Sequence, residues 1–480
     1  IYDDATEQNE YGFAAVKQNG LWGSINSEGK NVIEPKYNLD NNLLVDFIGK
    51  WHLCEYELLL RKIIRKKEQE MELKTKYQYT YFIYPYVVKQ SRYLKYIVKL
   101  LKDENCALRI FKKDKDLDLY SYFSPRVRDY MFGTFNYSKA KLSKLNELPI
   151  ETKAAILAKN ACTIFEYTIK KDIQGKMQEN NGIFFKIPKI EIICFNTGIC
   201  FLSIKTTIEN SNKFSDLLNF NYKFRDINQE FSSLQNYDKI RVQTDCFDDV
   251  QYFKEFVEKI TGSAVESMKL DIDTERALTF SYVCIDEEGW NSTNEFEKIK
   301  SQYFKYLNIL SNDNSVDYSK EDMKIISKWK YAKLGVTKQS VTLFSSSCDI
   351  NNYTVFPQEF QEQYLYTYIM AIYTKLYLKK INLEFRLGAN VNKTRKEFIK
   401  FTKNIWINEV TDEDTGSIFY QYLKEILELD NMFYDTKNKY DILYKDLNIE
   451  KNSRNNILIL IFLLVGFVIN AINIIYLTSR

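Results

Sequence analysis

The sequence predicts an α+β protein that ends in one membrane-spanning helix. Three observations carry this. Between residues 77 and 289, β-branched and aromatic runs broken by turn residues alternate with helix-period segments. From 290 the helical period takes over. Residues 457–477 are then 21 positions without a charge, enough to cross a bilayer. The resulting order is a β repeat over 1–50, a connecting helix over 51–76, an α+β domain over 77–289, a helical region with a stalk over 290–454 and an anchor over 455–480.

The first 50 residues carry a hairpin signal. Asn19-Gly20 and Glu28-Gly29 mark turns between short apolar alternations, and Asn-Gly in that setting is a strong hairpin cue. The run from Tyr11 to Tyr37, with Trp22-Gly23 at its centre, resembles the WG repeat. Ile1-Tyr2-Asp3 reads as the close of an earlier copy, 35 residues before Tyr37. Repeats of this kind need neighbours to bury their apolar faces. Further copies upstream are therefore expected, the alternative being one hairpin packed on the next domain. In either case the resemblance implies a recognition or spacer surface able to take a protein partner. Residues 55–76 are charged, lack Pro and Gly, and read as a helix.

Residues 79–88 form an aromatic, β-branched run, and Pro85 within it points to an edge strand. A helix follows at 93–101. Further strands are expected at 107–111, 182–186, 190–195, 199–205 and 277–285, with Asn196-Thr197-Gly198 turning one hairpin. An amphipathic helix covers 214–225.

In the helical region, 358–385 is a long aromatic helix in which Tyr364 and Tyr368, then Tyr373 and Tyr377, share faces. A second helix covers 393–407. A third starts at Ser417 and meets no breaker before the membrane. Along it Phe419, Ile426, Phe433, Tyr440 and Leu447 recur every seven residues, with Tyr422, Leu429, Thr436 and Leu443 three later. That is a stalk seam, and a seam needs a partner. The partner is either the same helix of a neighbouring subunit or 358–385 folded back.

The apolar tail follows. Sixteen of its 21 residues are Ile, Leu, Val or Phe, supplying about −5 to −10 kcal/mol on the insertion scale. Gly466, Asn470 and Asn473 share one face at steps of four and three. Such a stripe suits helix contact and interhelical hydrogen bonds, or water and ions in a pore; the alternative sets the two amides near the far headgroups. Lys437, Lys439, Lys445, Lys451 and Arg454 precede the span and only Arg480 follows it. The positive-inside rule then places the bulk in the cytoplasm, tail-anchored. Eight scattered cysteines without a C-x-x-C pair suit a reducing compartment.

Composition narrows the chemistry. Net charge is 67 − 64 = +3, evenly spread, so no nucleic acid partner is expected. The abundant Tyr and Phe read as coding bias. His52 is the only histidine, which removes most triads and metal clusters, and it reads as structural. The phosphate-cradling glycine motifs are absent. No enzyme activity is expected. Asp412, Glu413 and Asp414 form the densest acidic turn of the helical part. Acids before a helix start serve as caps; the alternative is oxygen ligation of Mg²⁺, the one cofactor candidate.

An α+β body, a helical region and a stalk continuing into the membrane resemble the CorA-like magnesium channel superfamily. The most similar stretches are 364–375, Trp406-Ile-Asn-Glu409-Val410-Thr411, and the run from Lys439 through the span. The family's Gly-Met-Asn motif and second membrane helix are absent. The resemblance implies a homo-oligomer in a bacterial inner membrane, with a cytoplasmic sensor coupled to an ion-conducting or membrane-perturbing helix. The alternative is a tail-anchored scaffold whose WG repeats recruit a partner.

Overall fold

The computed structural model describes residues 2–5, 14–37, 72–168, 173–177, 182–226, 240–244, 251–262, 265–266, 276–313, 323–387 and 391–478. His52, Cys54, Cys246 and the connecting helix up to residue 71 lie outside them. The chain divides into two compact units, Ile1–Glu72 and Leu73–Arg480.

The first unit is an antiparallel sheet in the order β1 (Asp4–Ala5), β2 (Ala14–Gln18), β3 (Leu21–Ile25), β4 (Asn31–Tyr37). Asn19 and Gly20 both take positive φ, 51° and 78°, which is the twist-matched two-residue turn their identity predicts. Trp22 lies opposite Lys17 and is buried.

The second unit is built on one mixed sheet of 13 strands. In chain order these are β5 (Thr75–Val88), β6 (Cys106–Leu108), β7 (Cys162–Tyr167), β8 (Ile173–Met177), β9 (Ile183–Phe195), β10 (Ile199–Ile208) and β11 (Arg241–Gln243). There follow β12 (Gln251–Tyr252), β13 (Val265–Glu266), β14 (Leu278–Ile285), β15 (Met323–Ile326), β16 (Ala332–Thr337) and β17 (Ser340–Ser346). The main path runs β12-β11-β8-β9-β10-β5-β14-β17-β16-β15, with β7 and β6 alongside β9 and β13 alongside β5. Only the β14–β17 pair is parallel among the described strand pairs.

Alternation along the strands feeds two cores. From β5, Tyr79, Tyr81 and Ile83 enter the first core, and Phe82, Tyr86 and Val88 the second. The first core is closed by a continuous helical segment, 356–387, whose Tyr373 stacks on Phe195 with centroids 3.6 Å apart. Over the second core lie helices that include Tyr93–Lys102, Phe214–Phe224, Phe253–Thr261 and Thr293–Leu307. The fold is thus α+β, as expected, with helices on both faces of the sheet.

Three expectations are corrected. First, Pro85 does not mark an edge: β5 has β10 on one side and β14 on the other. Val88 donates its N–H to Gly198 O on the β10 side, so alternation turns the Pro85 nitrogen the other way. There it meets the interval between the end of β14 pairing at Ile83 and the start of β13 at Val87, so no ladder bond is lost. Second, 182–186 and 190–195 are one strand, β9. Its Pro188 sits beside a register shift against β10 and between the stretches paired with β8 and β7. Third, the 289/290 boundary is crossed by the sheet. Residues 290–454 are not purely helical, since β15, β16 and β17 complete the sheet that β5 begins.

Candidate functional site

Leu429–Thr478 is one helix of 50 residues, about 75 Å long at 1.5 Å per residue. Its segment Asn452–Ile475 has 24 residues, a mean hydropathy of 2.8 and no buried portion. Length and composition suffice to cross a membrane. It is not a buried core helix: Phe462 and Phe467 are each 74% exposed. Asn470 and Asn473 are exposed, and a Cβ added at Gly466 would meet nothing within 4 Å. The Gly-Asn-Asn stripe therefore makes no contact with the described remainder of this chain.

The stalk is not one helix. Asp414–Ile426 and Leu429–Thr478 are separate, broken at Leu427 and Glu428, and Glu428 takes a φ of 58°. Neither Gly nor Pro announces this break. Leu427 is buried, while the Glu428 carboxylate reaches Lys338 Nζ at 2.9 Å. Phe419 and Ile426 therefore lie on a different helix from Phe433 and Tyr440. All four are nonetheless covered, and by their own chain. Phe433 stacks on Trp406 at 4.2 Å, Tyr440 accepts a hydrogen bond from Arg395 Nε, and Thr436 accepts one from Asn382 Nδ2 at 2.8 Å. From Phe419 to Tyr440 the partner is thus this chain's own 356–387 and 391–406. The side chains of Leu443 and Leu447 lie outside the described set.

The acidic turn caps a helix. Glu413 precedes Asp414–Ile426, and its two carboxylate oxygens accept the N–H groups of Thr415 and Gly416. Its own N–H goes to Thr411 Oγ1. Asp412 and Asp414 stay exposed. Among the described residues no group of three or more His, Cys, Asp or Glu converges to hold a metal ion. Glu413→Ala is expected to cost about 1–2 kcal/mol of stability, against about 0.5 kcal/mol or less for Asp412→Ala, read from urea midpoints.

Glu413 also lines a cleft of about 650 Å³ that sequence reasoning missed. Its other walls come from Lys328 and Trp329 between β15 and β16, Asp349 after β17, and Glu359 and Tyr364 on the long helical segment. Lys328 Nζ donates to Thr415 Oγ1 at 2.9 Å. Tyr122 lines the cleft too, with its hydroxyl buried beneath the start of the helix Asp414–Ile426. A Cβ on Gly416 would stand 2.4 Å from that hydroxyl, which explains the glycine inside a helix.

A second unpredicted cluster lies under a π-turn at Phe360–Tyr364, a feature often found at functional sites. Glu191 is fully buried and accepts from Tyr366 Oη at 2.8 Å and Lys189 Nζ at 3.0 Å. Lys205 Nζ donates to Gln361 Oε1 at 2.6 Å and lies 4.5 Å from the Tyr79 ring centroid. Burial, and then the charge of Lys189, pushes the Lys205 ammonium down to about 8, against the opposing pull of Glu191 and Glu362.

At the other end of the sequence, Trp22 is buried opposite Lys17, whose ammonium lies 5.5 Å from the indole centroid, while Gly23 pairs with Val16. Residues 1–22 and 22–39 match the WG containing repeat. No curated protein and no solved structure matches the chain. The two WG units meet at Trp22, so the 35-residue interval from Tyr2 to Tyr37 spans both of them. In the second WG repeat Trp22 is paired in register with Tyr37 across β3 and β4. The Trp-Gly pair thus supplies one large side chain for the sheet's own core and one position without a side chain beside it.

Proposed function

We propose that this chain is a membrane-anchored protein. Its C-terminal helix holds the body at the cytoplasmic face of a bacterial inner membrane, and its WG repeats recruit a protein partner. One observation carries the reading: a 24-residue apolar segment with no buried portion continues directly from the helix that packs on the body. The basic residues before it, Lys437, Lys439, Lys445 and Lys451, support cytoplasmic placement. Because the chain's own helices cover the seam from Phe419 to Tyr440, that seam no longer argues for a stalk shared between subunits.

A second reading keeps the oligomer. The uncontacted stripe of Gly466, Asn470 and Asn473 favours association of spans within the membrane. In that case the CorA-like expectation of an ion-conducting or membrane-perturbing helix applies. Reconstitution separates the two readings. A monomer in detergent that leaves liposomes sealed to ions fits the anchor, whereas a defined oligomer that passes ions removes it in favour of the second. Protease added to inverted vesicles is expected to digest the body. Protection there would overturn the cytoplasmic assignment.

A further inference from the structure

We propose that the neighbouring ends of two helices, Leu365–Leu387 and Val391–Asn404, make a second contact with the membrane, in which Arg386, Lys393 and Lys396 meet anionic phospholipid head groups. The inference rests on the reading of Asn452–Ile475 as a span. Both helices pack along the helix that carries it. Asn382 donates to Thr436, Lys439 donates to Asn382, and Lys375 feels the charge of Glu428, so Leu365–Leu387 runs toward the membrane. Arg395 donates to Tyr440, and Phe401 packs on Phe433, so Val391–Asn404 runs away from it. By these pairs Leu387 falls level with about residue 441 of the long helix and Val391 with about residue 444. The apolar segment starts at Asn452, about 12–17 Å farther along at 1.5 Å per residue.

The exposed charge at these ends has one sign. In Val391–Asn404, Lys393, Lys396, Lys400 and Lys403 are exposed, and Arg395 is half-buried against Tyr440. The single acid of that helix, Glu397, is half-buried too, 3.9 Å from Lys393. Arg386 is exposed at the close of the other helix, where the nearest acid, Glu384, turns in toward Thr394 Oγ1 at 3.5 Å. Leu387, 68% exposed, adds an apolar side chain at the tip. Between this level and the span the long helix brings no net charge, because Asp441, Asp446 and Glu450 offset Lys445, Lys451 and Arg454. The attraction therefore falls to the two helix ends. Basic side chains feel an anionic leaflet over about one Debye length, about 8 Å at physiological salt. The gap is about two such lengths, and both the reach of the lysines and the usual span tilt of about 20° shorten it. Lys400 and Lys403 share the exposed face but stand about 10–15 Å farther from the bilayer than Lys393, which makes them an internal control.

The test is hydrogen exchange of the full chain, read by mass spectrometry in two kinds of vesicle, phosphatidylcholine alone and phosphatidylcholine mixed with phosphatidylglycerol. Flotation with both kinds establishes the span separately. A chain that floats with neither fails on the anchor, and this proposal falls with it. In the floating protein, peptides from 380–387 and 391–399 are expected to exchange at least about threefold more slowly in the anionic vesicles, and about 1 M salt should abolish the difference. Arg386→Gln with Lys393→Gln and Lys396→Gln is expected to lose the slowing, whereas Lys400→Gln with Lys403→Gln keeps it. All these positions are exposed, so circular dichroism should be unchanged in both variants. The proposal is overturned if exchange is the same in both vesicles, or if the triple variant keeps the slowing. It is equally overturned if the Lys400 and Lys403 variant loses the slowing as fully as the triple one, which would show a helix lying flat on the lipid.

Discussion

Two lysines in the span, Leu463→Lys with Phe467→Lys, are expected to release the protein from membranes. Each costs about 2.5–3.5 kcal/mol near the bilayer centre and removes a favourable apolar contribution. Together they offset most of the roughly −5 to −10 kcal/mol that the tail supplies. Both positions are exposed on the helix, at 68% and 74%, so their replacement disturbs no core. In a sucrose gradient the parent should float with vesicles and the variant should not. Ile442→Lys with Ile449→Lys is the matched control. Those residues lie on the same helix before the span and are exposed at 60% and 68%, so that variant should still float. If the span variant floats as the parent does, the helix is not held by lipid.

Lys205→Met is expected to stabilise the body at neutral pH. Burial has pushed this ammonium from 10.5 to about 8, so keeping it charged costs about 3 kcal/mol below pH 8. Loss of its bond to Gln361 and its contact with Tyr79 returns about 1 kcal/mol, leaving a gain of about 2 kcal/mol. The pH dependence follows from linkage. Between pH 8 and 10.5 the unfolded lysine binds a proton that the folded one has released. This residue's contribution therefore raises stability with pH across that window, and the variant lacks it. Buried thiols act oppositely. Burial pushes Cys106 and Cys284 each up to about 12, so they retain protons that unfolded thiols lose, and stability falls with pH. The parent-minus-variant difference in urea unfolding, measured from pH 7 to 9.5, isolates the lysine. A difference that does not change with pH would show that Lys205 is well solvated.

Local signals were legible where one residue type decides the outcome. Asn19-Gly20 made its turn, Asn196-Thr197-Gly198 joined β9 to β10 with Gly198 at a φ of 86°, and the acids before residue 415 capped a helix through Glu413. Strands buried on both faces were less visible. All seven residues of β17 are buried, so no polar alternation marks it. Its serines are satisfied by neighbours instead, Ser345 Oγ donating to Val283 O and Ser340 Oγ to Leu307 O. Pro85 misled because whether a missing N–H matters depends on where the adjacent strands stop.

The sequence by itself determined the WG hairpin, the β-branched and aromatic runs of the sheet's centre and the apolar tail. Each of these is set by short-range periodicity and by transfer of side chains out of water. Tertiary structure alone decided that the seam closes on its own chain, that the helix breaks at Glu428, and that three acids and a lysine from four separate segments face one cleft. These outcomes depend on contacts between residues far apart in sequence, and the energy of such contacts leaves no mark in local pattern.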